Sequence, residues 1–166
     1  MDHLHYNYSA IHQRTPLPLA AKLHVFAVLY LEHWDFEAPE GSVRDPRFVG
    51  EFGSFNPDYR SWTQREYGLR IGVFRIIEAL LNLGIQPVLA SNSLVLPRVP
   101  HILQILKDSQ AEWLAHGVAA TRLMHTNMPF QEQQAHIASS LQALQTYTGK
   151  ASQGWLSQDW GTSPHT

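Results

Sequence analysis

Short apolar, β-prone segments alternate along this chain with segments whose apolar residues recur at helical spacing, and this alternation limits the fold more than any other feature. Strand character is found in four segments, which are residues 24–31, 85–96, 111–115 and 154–156. Helical spacing predicts a helix from Arg65 that stops at Gly84, a short one after Pro100, and one from Pro129 to Gly149. Short links from helix to strand favour parallel strands with right-handed crossovers. The predicted fold class is α/β, with about four parallel strands and crossover helices.

The chain is long enough for one domain with a core of its own, at 166 residues. Residues 1–23 are polar and interrupted by Pro16 and Pro18, so we expect an N-terminal arm there and a single α/β domain over residues 24–166. Residues 35–63 are rich in Gly, Pro, Asp, Ser and aromatic residues, which predicts a long loop. Loops of this length in a compact domain usually contribute to a site.

Composition excludes several classes of function. Twelve Lys and Arg against 14 Asp and Glu give a formal charge of −2, which offers no general electrostatic attraction for nucleic acid or an acidic membrane. The absence of cysteine excludes thiolate zinc sites, iron–sulfur ligation and cysteine nucleophiles. The N-terminus has no basic leader, and the first apolar run, residues 25–31, is too short to span a membrane. A cytoplasmic location without membrane association is therefore predicted.

Polar side chains follow the predicted strands where parallel α/β folds place their sites, beyond the carboxyl ends. Glu32, His33 and Trp34 follow the first strand, Asn92 the second and His116 the third. A carboxylate and one or two imidazoles on one rim can carry out general acid–base chemistry or bind a divalent metal. The structural alternative is a solvated Glu-His pair at one strand end and a His-Gly turn at another.

The start of the first predicted helix offers three further candidates, Glu66, Tyr67 and Arg70. If this helix end faces the pocket, Arg70 could pair with a substrate carbonyl. The structural alternative is that Glu66 stabilises the helix dipole while Tyr67 packs.

Four short motifs resemble the polysaccharide deacetylase (NodB-homology) family, and most closely its allantoinase-like branch. These are Leu-Glu-His-Trp at 31–34, Arg-Glu-Tyr-Gly-Leu-Arg-Ile-Gly-Val-Phe-Arg at 65–75, Ala-His-Gly at 115–117 and Gly-Trp-Leu at 154–156. The second motif is the most specific. The resemblance extends over about residues 24–164, which corresponds to the first half of a typical family domain.

This resemblance implies a partial (β/α) barrel and hydrolysis of carbon–nitrogen bonds other than peptide bonds. Metal-dependent members of the family carry a base aspartate and a ligand aspartate after the first strand, and two ligand histidines four residues apart after the third. Here Glu32 stands at the base position, His33 at the ligand-aspartate position and His116 at the first histidine position, but Ala120 replaces the second histidine. Catalytic zinc normally uses three protein ligands. His33 and His116 thus form an incomplete zinc set, no cofactor is assigned, and metal-independent chemistry is favoured.

Two hypotheses follow. The first is a hydrolase of a small amide, cyclic amide or N-acylated sugar, with Glu32 as base and His116 polarising the bond. Its predicted substrate-binding residues are His33, Trp34, Glu66, Tyr67, Arg70 and Asn92. The second is a catalytically inactive half-barrel that serves as an interaction module or as the subunit of a homo-oligomer, because a closed barrel needs about eight strands.

Overall fold

A parallel β-sheet organises the computed structural model, which describes residues 23–37, 39–42, 57, 59–152 and 154–158. Its three strands are β1 (Ala27–Leu31), β2 (Pro87–Ser91) and β3 (Glu112–Ala115), in the order β1-β2-β3. The predicted α/β class with parallel strands is confirmed. The predicted fourth strand is reduced to one parallel bridge between Ala115 and Trp155. Apart from its last residue, the predicted arm at 1–23 lies outside the described residues.

The described helices comprise α1 (Tyr59–Tyr67), a π-helical turn (Gly68–Gly72), α2 (Val73–Asn82), a 3₁₀ turn (Leu96–Arg98), α3 (Pro100–Leu106) and α4 (Phe130–Thr148). The π turn joins α1 to α2 without a break in the helical course. Such turns are rare inside α-helices and often occur near functional sites. The last helix ends where Gly149 adopts the left-handed conformation, as predicted from the sequence.

The largest boundary differences from the sequence prediction are at the start of the first helix and at the end of the second strand. The first helix begins at Tyr59 rather than Arg65. The sequence prediction missed residues 59–64 because they are mostly polar and show no apolar periodicity. The predicted loop over 35–63 is shortened accordingly. The second strand ends at Ser91 rather than Leu96, since the backbone turns after Asn92 and its next two N–H groups donate to carbonyls of the loop after β3.

The two faces of the sheet have different surroundings, because alternate residues of a strand point to opposite sides. The helix face, which includes Leu31, Leu89, Trp113 and Ala115, packs against buried residues of α2, α3 and α4. The open face is formed by Val28, Tyr30, Val88, Ala90, Glu112 and Leu114. Glu32, Asn92 and His116 continue its even-numbered series beyond the strand ends, so the sheet itself directs them toward one site.

None of the helices in the described residues has the length and apolar character that crossing a bilayer requires.

Candidate active site

Glu32 and His116 meet at the carboxyl end of the sheet. Glu32 Oε1 lies 3.3 Å from His116 Nε2, although the two residues are 84 positions apart in the chain. The parallel register explains the contact, since β1 and β3 flank β2 and both residues belong to the open-face series. The side chain of His116 is 4% exposed, whereas that of Glu32 is 31% exposed. The carboxylate therefore remains accessible to a ligand while the imidazole is fixed behind it.

Hydrogen bonding fixes the orientation of the His116 ring. Its Nδ1 lies 2.6 Å from the carbonyl oxygen of Leu156, which can only accept, so Nδ1 carries a proton. A carboxylate also only accepts, and the contact with Glu32 therefore requires one further proton, on Nε2 or on Glu32. The ring of Tyr30 contacts His116 edge-on, at 5.3 Å between ring centroids. Glu32 and His116 thus hold a shared proton beside an aromatic wall.

Asn92 connects the two loops that carry this pair. Its Oδ1 accepts the backbone N–H of His33 at 3.0 Å, and its Nδ2 donates to the backbone carbonyl of His116. The residue is fully buried. Both polar atoms of the amide thus bond within the protein and hold the two loops together, and the substrate-binding role of Asn92 stays a prediction.

Trp34 contacts Glu32 directly. Its Nε1 donates to Glu32 Oε2 at 3.4 Å, and the guanidinium carbon of Arg65 lies 3.6 Å from the Trp34 ring centroid. The indole therefore holds the second carboxylate oxygen while its face is covered by a cation. Of the predicted substrate-binding residues, Trp34 is the one bonded to the Glu32 side chain.

Three other predicted residues have partners away from this pair. Glu66 is buried, and its Oε2 accepts from Arg70 Nε at 3.1 Å. Arg98 Nη2 contacts both oxygens of Glu66 at 3.0 Å. The hydroxyl of Tyr67 accepts from Arg75 at 3.4 Å. The Arg70 side chain remains 69% exposed to solvent.

A second cluster joins the loops after β1 and β3. The Asp35 carboxylate accepts two bonds from Arg122, at 3.0 and 3.1 Å, and one from the Thr121 hydroxyl. Burial alone would raise the pKa of Asp35, but the hydrogen bonds from Arg122 and Thr121 outweigh it and hold that pKa below its ordinary value. The same pair raises the pKa of Arg122. This ion pair keeps the two loops together beside the candidate active site.

Sequence reasoning missed several of these groups. The period-2 pattern could have found Tyr30, which lies two residues before Glu32 on the same face. No local pattern indicates the other missed residues, which are Asp35, Arg98, Thr121, Arg122 and Leu156. Their partners are defined by contacts between separate loops.

The described residues do not fit a catalytic zinc site. They contain no group of three His, Asp or Glu side chains placed to hold a metal ion. Position 120, where metal-dependent members of the resembling family have a second histidine, is alanine. Both ring nitrogens of His33, the other predicted ligand, are within bonding distance of protein side chains.

Comparison with known proteins gives likenesses of structure. No family model matches the chain, and no curated protein matches it. The solved structure of Puue allantoinase superposes with a TM-score of 0.64 at 19% identity, covering 92% of this chain and 55% of the other. A structure named as a probable polysaccharide deacetylase from Pseudomonas aeruginosa PAO1 has a TM-score of 0.61 at 18% identity, covering 84% and 47%. Identity at this level establishes a shared fold, and the chain spans about half the length of these structures.

Proposed function

We propose that this chain carries a hydrolytic site for carbon–nitrogen bonds other than peptide bonds, with a small amide, cyclic amide or N-acylated sugar as substrate. The observation that carries the proposal is the contact of Glu32 with His116, whose ring is oriented by Leu156. Allantoinase and polysaccharide deacetylase are the named activities of proteins with this fold, which supports the same reaction class.

The pair supplies the groups that amide hydrolysis needs. Glu32 takes a proton from water as the water oxygen bonds to the carbonyl carbon. The Nε2–H of His116, which faces Glu32 in the free chain, is shared with the carbonyl oxygen of the bound substrate and stabilises its developing negative charge. The carbon–nitrogen bond then breaks as Glu32 returns its proton to the leaving nitrogen. The products are a carboxylic acid and an amine, and the carboxyl group is regenerated as the base.

Substitution of Glu32 tests the proposal. The 166-residue chain is assayed on N-acetylated sugars, allantoin and cyclic imides. Glu32→Gln keeps the size and the hydrogen-bonding shape but removes the base, so turnover should fall at least about 100-fold. Glu112→Gln is the matched control, because Glu112 lies on the same open face at the other end of the sheet. Full turnover by Glu32→Gln, or no turnover by the unsubstituted chain on the whole panel, contradicts the proposal.

A second candidate function is association with another copy of the chain, and the open face favours it. Phe26, which extends this face before β1 and lines a concavity with Val28 and Val88, is 72% exposed, and Tyr30 is 57% exposed. Among the described residues β1 pairs only with β2, and a concavity of about 310 Å³ extends between β1 and the π turn. Apolar surface beside an unpaired strand edge is typical of association surfaces. The occupant proposed for this face is a second copy, because the same apolar face on another chain offers a matching surface for a two-fold contact.

Molar mass in solution tests this candidate. The unsubstituted chain should be a dimer by light scattering, and Phe26→Asp should convert it to a monomer. Leu83→Asp is the matched control, since Leu83 is 73% exposed but lies at the end of α2, outside the open face. A monomeric unsubstituted chain, or equal dissociation by both variants, contradicts association through the open face.

A further inference from the structure

His33, the residue next to the candidate base, has all four of its polar groups bonded. Its backbone N–H donates to Asn92 Oδ1 at 3.0 Å, and its backbone carbonyl accepts the N–H of Ala120 at 2.8 Å. Its ring nitrogens contact Arg98 at 2.8 Å and Asp35 at 3.3 Å. We propose that His33 is a positioning residue that fixes Glu32 against His116, and that Arg98 locks its ring in one tautomer. This inference rests on the proposed function, because Glu32 is the group being positioned.

The chemistry of the two side-chain partners determines the tautomer. Arginine only donates, so the lone pair of His33 must be on Nδ1, the atom that faces Arg98 Nη1. In a neutral imidazole the proton is then on Nε2, where it is donated to Asp35 Oδ1. Asp35 is an ionised acceptor at neutral pH, like an ordinary aspartate, and although burial opposes it, the hydrogen bonds of Arg122 and Thr121 hold its pKa below the usual value. Donor and acceptor therefore lie on the sides that this one tautomer requires.

Arg98 can act in this way because its guanidinium is held from the other side. It lies at the end of the 3₁₀ turn that follows β2, and its Nη2 contacts both oxygens of the buried Glu66 in α1. Nη1 is then directed at His33. A planar guanidinium serves two acceptors at fixed angles, whereas the single ammonium of a lysine does not. Arg98 thus couples α1 to the loop that carries Glu32.

The opposite side of the ring is held by the loop after β3. Asp35 receives its bonds from Arg122 and Thr121, and the backbone of Ala120 in the same segment bonds to the His33 carbonyl. His33 is consequently bonded to the loop after β2 through Asn92 and Arg98, and to the loop after β3 through Ala120. Its neighbour Glu32 has little freedom to move away from His116.

These contacts also argue against a metal-ligand role for His33, which its sequence position suggests. At that position the metal-dependent members of the resembling family have a ligand aspartate, but neither ring nitrogen of His33 has a lone pair directed away from the protein. A metal ion would have to displace Arg98 from Nδ1, and the cost includes leaving that guanidinium with one partner fewer. The site at this rim is therefore built around hydrogen bonds to His33 rather than around ligation by it.

Nitrogen NMR of the full chain tests the tautomer without any substrate. The protein is labelled with ¹⁵N at histidine and measured at pH 8, and His33→Gln identifies the His33 signals by their loss. We expect a protonated Nε2 and an unprotonated Nδ1 for His33, and no change in these two signals on addition of equimolar zinc chloride. A protonated Nδ1, or displacement of the His33 signals by zinc, overturns the proposal.

Two arginine variants form the matched comparison, because Arg70 and Arg98 both bond to Glu66 but only Arg98 touches His33. Arg98→Met removes the donor that faces Nδ1, so the Nδ1 signal of His33 should shift, whereas Arg70→Met should leave the His33 signals unchanged. Arg98→Lys retains a positive charge beside Glu66 and serves where the methionine variant does not fold; it too should shift the Nδ1 signal, because a lysine cannot bond Glu66 and His33 at the angles of the guanidinium. Equal effects of the Arg70 and Arg98 substitutions contradict the assignment.

Kinetics distinguish this inference from the proposed function. If the chain turns over a substrate through Glu32, Arg98→Met should lower kcat about tenfold with little change in KM, because a misplaced base slows the chemical step. An unchanged kcat contradicts a positioning role. If no substrate is turned over but His33 shows the expected tautomer and its signals change in the Arg98 variants, the proposed function fails while the fixation of the His33 ring by Arg98 is supported.

Discussion

The two ends of the sheet differ in which kind of side chain they bury and which they expose. At the carboxyl end, polar side chains such as Asn92 and His116 are buried, and their polar atoms are bonded across separate loops. At the amino end, Phe26 lies exposed, and a concavity of about 450 Å³ is lined by Phe26, Val28, Val88 and other residues of the open face. The carboxyl end buries polar side chains, most of them hydrogen-bonded within the protein although Ser91 Oγ is buried without a partner among the described residues, and the amino end leaves apolar surface in water.

This difference predicts how strongly substitutions at each end affect folding stability. A buried polar group that loses its hydrogen-bond partner destabilises the folded state, because it has also lost its hydrogen bonds to water. Removing one member of a bonded set should therefore lower the free energy of unfolding. An exposed apolar side chain has few contacts to lose, and its replacement changes the folded and unfolded states alike. Substitutions should therefore be costly at the carboxyl end and nearly neutral for folding at the amino end.

The largest effect is expected at Asn92. Asn92→Ala leaves the backbone N–H of His33 and the carbonyl of His116 without their partner in a buried setting, which should lower the free energy of unfolding by about 2–4 kcal/mol. Urea unfolding followed by circular dichroism measures it. Asn82→Ala, at the exposed end of α2, should change stability by less than about 0.5 kcal/mol. Equal losses of stability in the two variants would show that the carboxyl end is no more sensitive to substitution than an ordinary surface.

A smaller effect should come from His136, which supports the same end from α4. Its Nε2 accepts the backbone N–H of Val118 at 3.3 Å, and burial holds the pKa of its imidazole below the ordinary value. The unfolded chain therefore binds this proton more readily, and the free energy of unfolding should fall as pH drops below about 6.5.

Comparison with His136→Gln isolates this contribution. Glutamine retains an oxygen that can accept the Val118 N–H but does not titrate. Urea unfolding at pH 7.5 and pH 5.5 should therefore show a larger loss of stability for the unsubstituted chain than for the variant. Asp35 does not interfere in this range, because its lowered pKa confines its own effect to pH below about 4. Identical losses in both proteins would exclude the half-buried His136 as a source of the pH dependence of stability.

The sequence predicts the meeting of Glu32 and His116 because the rule involved is topological. Apolar strands in a parallel sheet place their following residues on one rim, and the period of two places Glu32, Asn92 and His116 on one face. Neither step requires knowledge of side-chain contacts. The catalytic roles assigned to Glu32 and His116 remain predictions.

The supporting contacts follow no such rule. Arg98 reaches Glu66 and His33 across 32 and 65 residues, and Asp35 reaches Arg122 across 87. These pairings depend on how three loops fold over the rim, which period and propensity do not encode. The π turn at Gly68–Gly72 is similarly invisible, because its apolar spacing is close to that of the α-helix on either side.

The smallest effect on folding is expected at Phe26, the amino-end counterpart of Asn92. Because the ring is mostly in water, Phe26→Asp should change the free energy of unfolding per chain by no more than about 0.5 kcal/mol, measured in urea at a protein concentration low enough to keep the chain monomeric. Leu83→Asp, of equal exposure, should behave in the same way. A loss of about 3 kcal/mol or more at Phe26 alone, which is the cost of removing a buried aromatic side chain, would mean that the open face is covered within a single chain. The contrast between the two ends of the sheet would then concern chemistry but not packing.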